Sequence, residues 1–227
     1  LALPACSGTP RPTEPGLVLQ FEFEDGGVPV AVVDLVTQVP ESGLSFVPGL
    51  DGRAAHFDGS GAELKLRGLD QLDLSSSMTL EFYVNLADWQ NPYAAGGGLE
   101  SLVSHSDNFT VAINPYSHEL QARLRTSARE EAWTLAGGKI EPGAWHHVAL
   151  VLDGEQEVAH LVLDGADVFS LELSGALVVK GNLDLVIGTW FKQNQAFCGE
   201  LDSIRIWKRA LSADELVARA ARVTAAG

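Results

Sequence analysis

Apolar residues recur at every second position in short segments separated by turn residues, the period that sends successive side chains to opposite faces of a half-buried strand. In Leu17-Val18-Leu19-Gln20-Phe21-Glu22-Phe23-Glu24 it turns Leu19, Phe21 and Phe23 inward and Gln20, Glu22 and Glu24 outward. The same pattern predicts strands at 54–57, 62–66, 78–86, 99–105, 109–114, 119–126 and 131–135. Later strands are expected at 146–152, 159–163, 168–173, 183–187 and 199–207. Two of these runs stop at Asp153-Gly154 and Asp164-Gly165, the turn chemistry of antiparallel hairpins. One helix is predicted: Ser212-Ala213-Asp214-Glu215 forms a capping box, followed by an apolar stripe of Leu216, Val217 and Ala220. It should lie as a short terminal helix against the sheets.

The chain has 227 residues, 46% of them hydrophobic and 20% charged, enough to bury a sizeable core in one all-β domain over 17–227, preceded by a tail over 1–16. Thirty acidic residues stand against fifteen basic ones, a net charge of -15, which sets the surface against phosphate backbones and excludes nucleic acid as a partner. No apolar run approaches the ~20 residues that span a bilayer, so no transmembrane segment is expected. Leu3-Pro4-Ala5-Cys6 resembles a bacterial lipoprotein cleavage box, which implies a lipid anchor at Cys6 and makes the proline-bearing stretch to Gly16 a tether. The other cysteine is Cys198, so a Cys6–Cys198 disulfide is the rival reading, and a thioether sulfur cannot serve both. Either reading places the protein outside the cytoplasm, secreted or lipid-anchored at the cell surface.

Several landmarks stand in a recognisable order: Phe21-Glu22-Phe23-Glu24-Asp25-Gly26, Gly52-Arg53-Ala54-Ala55-His56-Phe57-Asp58-Gly59, and Met78-Thr79-Leu80-Glu81-Phe82-Tyr83-Val84. Trp145-His146-His147-Val148, Ile187-Gly188 and Ile204-Arg205-Ile206-Trp207 complete them. Over 17–217 the chain resembles the laminin-G-like branch of the concanavalin A-like lectin/glucanase jelly rolls. The resemblance implies an all-β sandwich of two antiparallel sheets, one of them concave, with a short C-terminal helix. It also implies a family that mostly serves recognition or adhesion, often of glycans, on secreted and surface proteins.

Candidate chemistry narrows the function. Glycoside hydrolysis needs two carboxylates at fixed separation. Glu200-Leu201-Asp202 lacks the second Glu expected of the hydrolase branch and falls in the closing strand, so no catalytic residue is assigned. His146 and His147 are neighbours on a strand, point to opposite faces and cannot readily share a metal. Ser104, His105 and Asp107 lack a nucleophile elbow.

The resemblance implies that the first and last strands are neighbours, which would gather Glu22, Glu24, Glu200 and Asp202 beside a bulge at Asp202-Ser203. A structural Ca²⁺ with Glu22 and Asp202 as leading ligands is the expectation there. For a ligand, exposed aromatics beside amides suit sugar rings and hydroxyls. These cluster at Trp89, Asn91 and Tyr93, at Trp190, Lys192 and Asn194, and at the Tyr116 turn. The expected function is a non-catalytic carbohydrate-binding or adhesive module, lectin-like, whose partner is a glycan or cell-surface protein. A protein-interaction module without a sugar site is the alternative, and a glycoside hydrolase is the least supported.

Overall fold

The computed structural model describes residues 2–3, 14–24, 30–33, 35–87, 98–105, 108–128, 131–178, 184–189 and 195–226. The first part of the chain forms β1 (Ala2–Leu3), β2 (Leu17–Phe21), β3 (Val30–Ala31), β4 (Val36–Gln38), β5 (Leu44–Pro48), β6 (Arg53–Asp58) and β7 (Leu64–Arg67). Next come β8 (Met78–Leu86), β9 (Glu100–His105), β10 (Phe109–Ile113), β11 (Glu119–Leu124) and β12 (Trp133–Lys139). The remainder forms β13 (Trp145–Asp153), β14 (Val158–Leu163), β15 (Ala166–Glu172), β16 (Leu185–Ile187), β17 (Cys198–Trp207) and helix α1 (Ala213–Ala226).

These strands make two antiparallel sheets. One has eight strands in the order β1-β4-β7-β16-β9-β10-β11-β12. The other has nine along the path β15-β14-β13-β8-β17-β2-β3, with β6 against β17 and β5 against β6. Alternation decides what lies between them. In β8, Met78, Leu80, Phe82, Val84 and Leu86 enter the core between the sheets, while Thr79, Glu81 and Tyr83 point the other way and are buried too. Their cover is α1, which lies over a second apolar cluster containing Leu17, Val151, Trp207 and Leu216. The result is three layers, sheet on sheet on helix, so both faces of the nine-stranded sheet are buried at its centre.

The capping box forms as expected: the Glu215 amide donates to Ser212 Oγ at 3.3 Å and the Ser212 amide to Glu215 Oε2 at 2.9 Å. Leu216 and Ala220 are buried, but Val217 is 55% exposed, a correction to the predicted stripe. The helix meets the sheet along a narrow apolar seam of Leu216 and Ala220.

The Asp164-Gly165 turn joins β14 to β15 with both residues at positive φ, 51° and 78°, the two-residue hairpin geometry that Asp-Gly favours. Asp153-Gly154 instead opens a longer loop, in which Asp153 Oδ1 accepts the amides of Glu155 and Gln156 at 3.0 and 3.1 Å. β12 runs past its expected end through Gly137, where a Cβ would stand 2.6 Å from the Val168 carbonyl oxygen of β15. Only glycine lets the edges of the two sheets approach so closely.

The segment read as a tether is attached at both described places. Ala2–Leu3 pair with β4, and Glu14 bonds Arg219 of α1 at 2.6 Å. Among the described residues no helix is long and apolar enough to cross a membrane.

Candidate functional site

Of the residues expected to bind a ligand, Trp89, Asn91, Tyr93, Trp190, Lys192 and Asn194 lie outside the described residues. Tyr116 is described and 58% exposed. It stands in the turn between β10 and β11, where Asn114 Oδ1 accepts the amides of Tyr116 and Ser117 at 2.9 and 3.1 Å. The Asn side chain fixes this turn and holds the phenol at the molecular surface.

A groove of about 140 Å³ opens on the outer face of the eight-stranded sheet. Its floor comes from three adjacent strands, with a bulge at Leu102 of β9 where the register against β10 shifts. Ser101 of β9 faces Ala112 of β10, and Ala112 faces Gln121 of β11. One step along, Ser104 faces Thr110, and Thr110 faces Arg123. Ser101 and Ser104 are 1% and 0% exposed, and neither Oγ has a hydrogen-bond partner. Gly98, Leu99 and Gln195 line the same groove. Gly98 and Gln195 are the first described residues after 88–97 and 190–194.

Larger hollows of about 620 and 570 Å³ lie on the other side of the molecule, around the start of α1. Several of their charged groups are already engaged, Arg209 with Glu215 at 2.6 Å, His160 with Asp167 at 2.6 Å and Asp153 with its own loop. Size alone is a weaker guide than unmet hydrogen-bonding groups.

The expected bulge is present. The first half of β17 pairs with β6 and the second half with β2, the register against β8 shifts between Asp202 and Arg205, and Ser203 stands at φ 50°. At this fork Asp202 turns inward: its Oδ2 accepts the amides of Leu50 and Asp51, at 3.0 and 3.2 Å, in the β5–β6 turn. Burial pushes its carboxyl up to about 6, with the Glu22 charge adding and the amides opposing. Glu22 accepts from Arg205 at 2.5 Å, Ser203 at 2.6 Å and Gln20 at 2.8 Å.

Of the four acids expected to gather, Glu22 and Asp202 do meet, through the Ser203 hydroxyl at 2.6 and 3.4 Å, and the other two are engaged elsewhere. Glu24 caps the Arg53 amide at 2.9 Å, and Glu200 bonds Asn85 at 2.9 Å and faces His56. Among the described residues no group of three or more His, Cys, Asp or Glu could hold a metal. As they stand, Glu22 and Asp202 do not fit a calcium site, because an arginine, a hydroxyl and amides already meet their oxygens. Calcium is accordingly expected to leave the melting midpoint unchanged, whereas a rise reversed by chelator would restore the cation at Glu22 and Asp202.

The double histidine is explained by its turn. Asp164 Oδ1 accepts the His147 amide at 2.9 Å and Oδ2 meets His146 Nδ1 at 2.7 Å, a bond that raises the His146 pKa above its ordinary value. His147 is fully buried, 3.3 Å from Glu81 beneath α1. The motif locks a hairpin and brings no shared chemistry.

Ser104 and His105 also diverge, since His105 stacks on Phe109 and bonds Asn108. Glu200 and Asp202 belong to the sheet opposite the groove. Sequence reasoning missed Glu100, 2% exposed with Oε1 unpartnered, whose carboxyl burial pushes up to about 8. Nothing around it in the sequence marks it as buried.

Comparisons with known proteins agree with this architecture. The binding domain of Paraclostridial Mosquitocidal Protein 1 superposes with TM-score 0.76 at 15% identity, over 90% of this chain and 52% of that one. The binding domain of botulinum neurotoxin serotype D gives 0.69 at 11%, over 91% and 51%. Domain 4 of AbnA, a GH43 extracellular arabinanase from Geobacillus stearothermophilus solved in complex with arabinotriose, gives 0.58 at 16%, over 90% and 98%. This chain spans about half the length of the toxin binding domains, and likeness at such identities is one of fold. No curated protein matches the sequence. Residues 58–217 match the laminin-G-type family model of the concanavalin A-like lectin/glucanases, so the chain belongs to the concanavalin A-like lectin/glucanase superfamily.

Proposed function

We propose that this chain is a non-catalytic, carbohydrate-binding or adhesive module of a secreted or surface-anchored bacterial protein, with its ligand on the outer face of the eight-stranded sheet. A lipid at Cys6 would be its anchor. One observation carries the reading: the groove presents a polar floor of Ser101, Thr110, Gln121 and Arg123 in which the buried Ser101 hydroxyl has no partner. A buried hydroxyl left unbonded costs free energy, and a ligand hydroxyl arriving at the groove would recover it. Sugars supply many such groups, and the aromatic residues Trp89, Tyr93 and Trp190 belong to segments whose neighbours border the groove, where they would stack on sugar rings. Support by analogy of fold comes from the arabinanase domain, matched over 98% of its length and solved with an arabinose oligomer.

A glycan array tests the proposal. Binding to a defined set of oligosaccharides is expected, with Gln121→Ala weakening it about tenfold and leaving the melting midpoint intact. Silence across the array, with capture of a surface protein instead, would overturn the sugar reading in favour of a protein-recognition module.

A further inference from the structure

We propose, on the basis of the sugar-binding reading above, that the groove selects anionic saccharides and that Arg123 pairs with their acidic group. The argument starts from charge. In a chain with thirty acidic and fifteen basic residues, an arginine normally finds a carboxylate. Arg67, Arg205, Arg209, Arg219 and Arg222 each do, Arg53 bonds the Phe46 carbonyl instead, and the Arg125 Nε is buried without a partner. Arg123 is exposed at the groove, and its side chain has no ion pair or hydrogen bond among the described residues.

Register explains why it is left free. The strand pairings place Lys65, Val186, Ser104, Thr110, Arg123 and Thr134 in one row across β7, β16, β9, β10, β11 and β12. The adjacent row reads Ser101, Ala112, Gln121 and Ala136. Neither row contains a carboxylate, although acids outnumber bases two to one in the chain as a whole. Intervening positions such as Val103, Val111, Ala122 and Leu135 belong to the core, so both rows face outward over the groove.

The chemistry then follows. A guanidinium offers a planar fork of donors that matches a carboxylate or sulfate in two parallel bonds. Ser101, Thr110 and Gln121 beside it serve neutral sugar hydroxyls. Negative charge elsewhere on the surface is screened within about 8 Å at physiological salt, so a local patch free of carboxylates suffices to admit an anion.

Titration calorimetry with three matched oligosaccharide sets decides this: a neutral galactan, an oligogalacturonate and a sulfated galactan. Wild-type protein is expected to bind at least one anionic set ten or more times tighter than the neutral one. Which set is preferred tells carboxylate from sulfate. Arg123→Gln should abolish that preference and Arg123→Lys should keep part of it, with both variants melting as wild type does. Neutral galactan bound as tightly as the anionic sets, or a preference surviving in Arg123→Gln, overturns the inference and leaves the sugar reading standing. An absence of binding to all three sets, together with silence on the glycan array, overturns both.

Discussion

Replacing Glu81 with alanine should lower the folding stability by about 3–5 kcal/mol, the range for breaking a buried charge cluster by removing one member. The Glu81 carboxylate is fully buried and meets three cationic or polar partners: Arg205 at 3.2 Å, Arg219 at 3.2 Å and His147 at 3.3 Å. Arg205 is 6% exposed, so without Glu81 its charge depends on Glu22 alone. The loss also reaches the helix. Arg219 belongs to α1, lies 4.5 Å over the Trp207 ring, and its carbonyl accepts the Tyr83 hydroxyl at 3.0 Å. Glu81 is thus the point where the helix is tied electrostatically to the sheet. Urea denaturation should show the midpoint falling, and hydrogen exchange should show the α1 amides opening before those of β8 and β13. Glu81→Gln keeps the shape and one acceptor and should cost less. A Glu81→Ala midpoint within experimental error of wild type would mean that packing of Leu216 and Trp207 alone holds the layer.

The same residue shows what a sequence conceals. Met78 to Leu86 reads as an alternating strand with one wet face, and its inward set is indeed the core. What covers Glu81 and Tyr83 is a helix more than a hundred residues later, and no local pattern announces it. Trp207, too, is buried beneath that helix rather than between the sheets, and nothing next to it in the sequence tells the two apart. Local signals fared well: the Asp164-Gly165 turn, the Ser212 capping box and the bulge at Asp202-Ser203 each follow from a few adjacent residues. The role of Asp202 does not, because the amides it accepts come from Leu50 and Asp51, some 150 positions away. The strands Val36–Gln38 and Leu44–Pro48 are short, and the alternation does not predict them. The groove is the least legible feature of all, since Ser101, Thr110 and Gln121 meet only through the register of three strands.

Replacing Glu100 with glutamine should stabilise the protein in alkali and leave it nearly unchanged in acid. Folding raises the Glu100 carboxyl from 4.5 to about 8, through burial, so the native state holds this proton more tightly than the unfolded chain does. The stability tied to the group is therefore complete below 4.5 and is lost as the pH rises toward 8. Within that window the slope is about 1.4 kcal/mol per pH unit, and the whole loss is on the order of 5 kcal/mol. Asp202, raised to about 6, loses stability in the same direction between 3.8 and 6, as does His146 where its raised pKa titrates. Both remain in the variant, so the difference between the two proteins isolates Glu100. Denaturation curves should nearly coincide at pH 4, separate steadily up to about pH 8 and keep a constant gap above it; parallel curves throughout would show that the carboxyl finds water or a partner when it ionises. A second readout comes from Cys198, whose thiol is pushed up to about 11 by burial first and then by the Glu100 charge. With that charge removed, alkylation of Cys198 at pH 9 should quicken in Glu100→Gln, because more of the reactive thiolate is present.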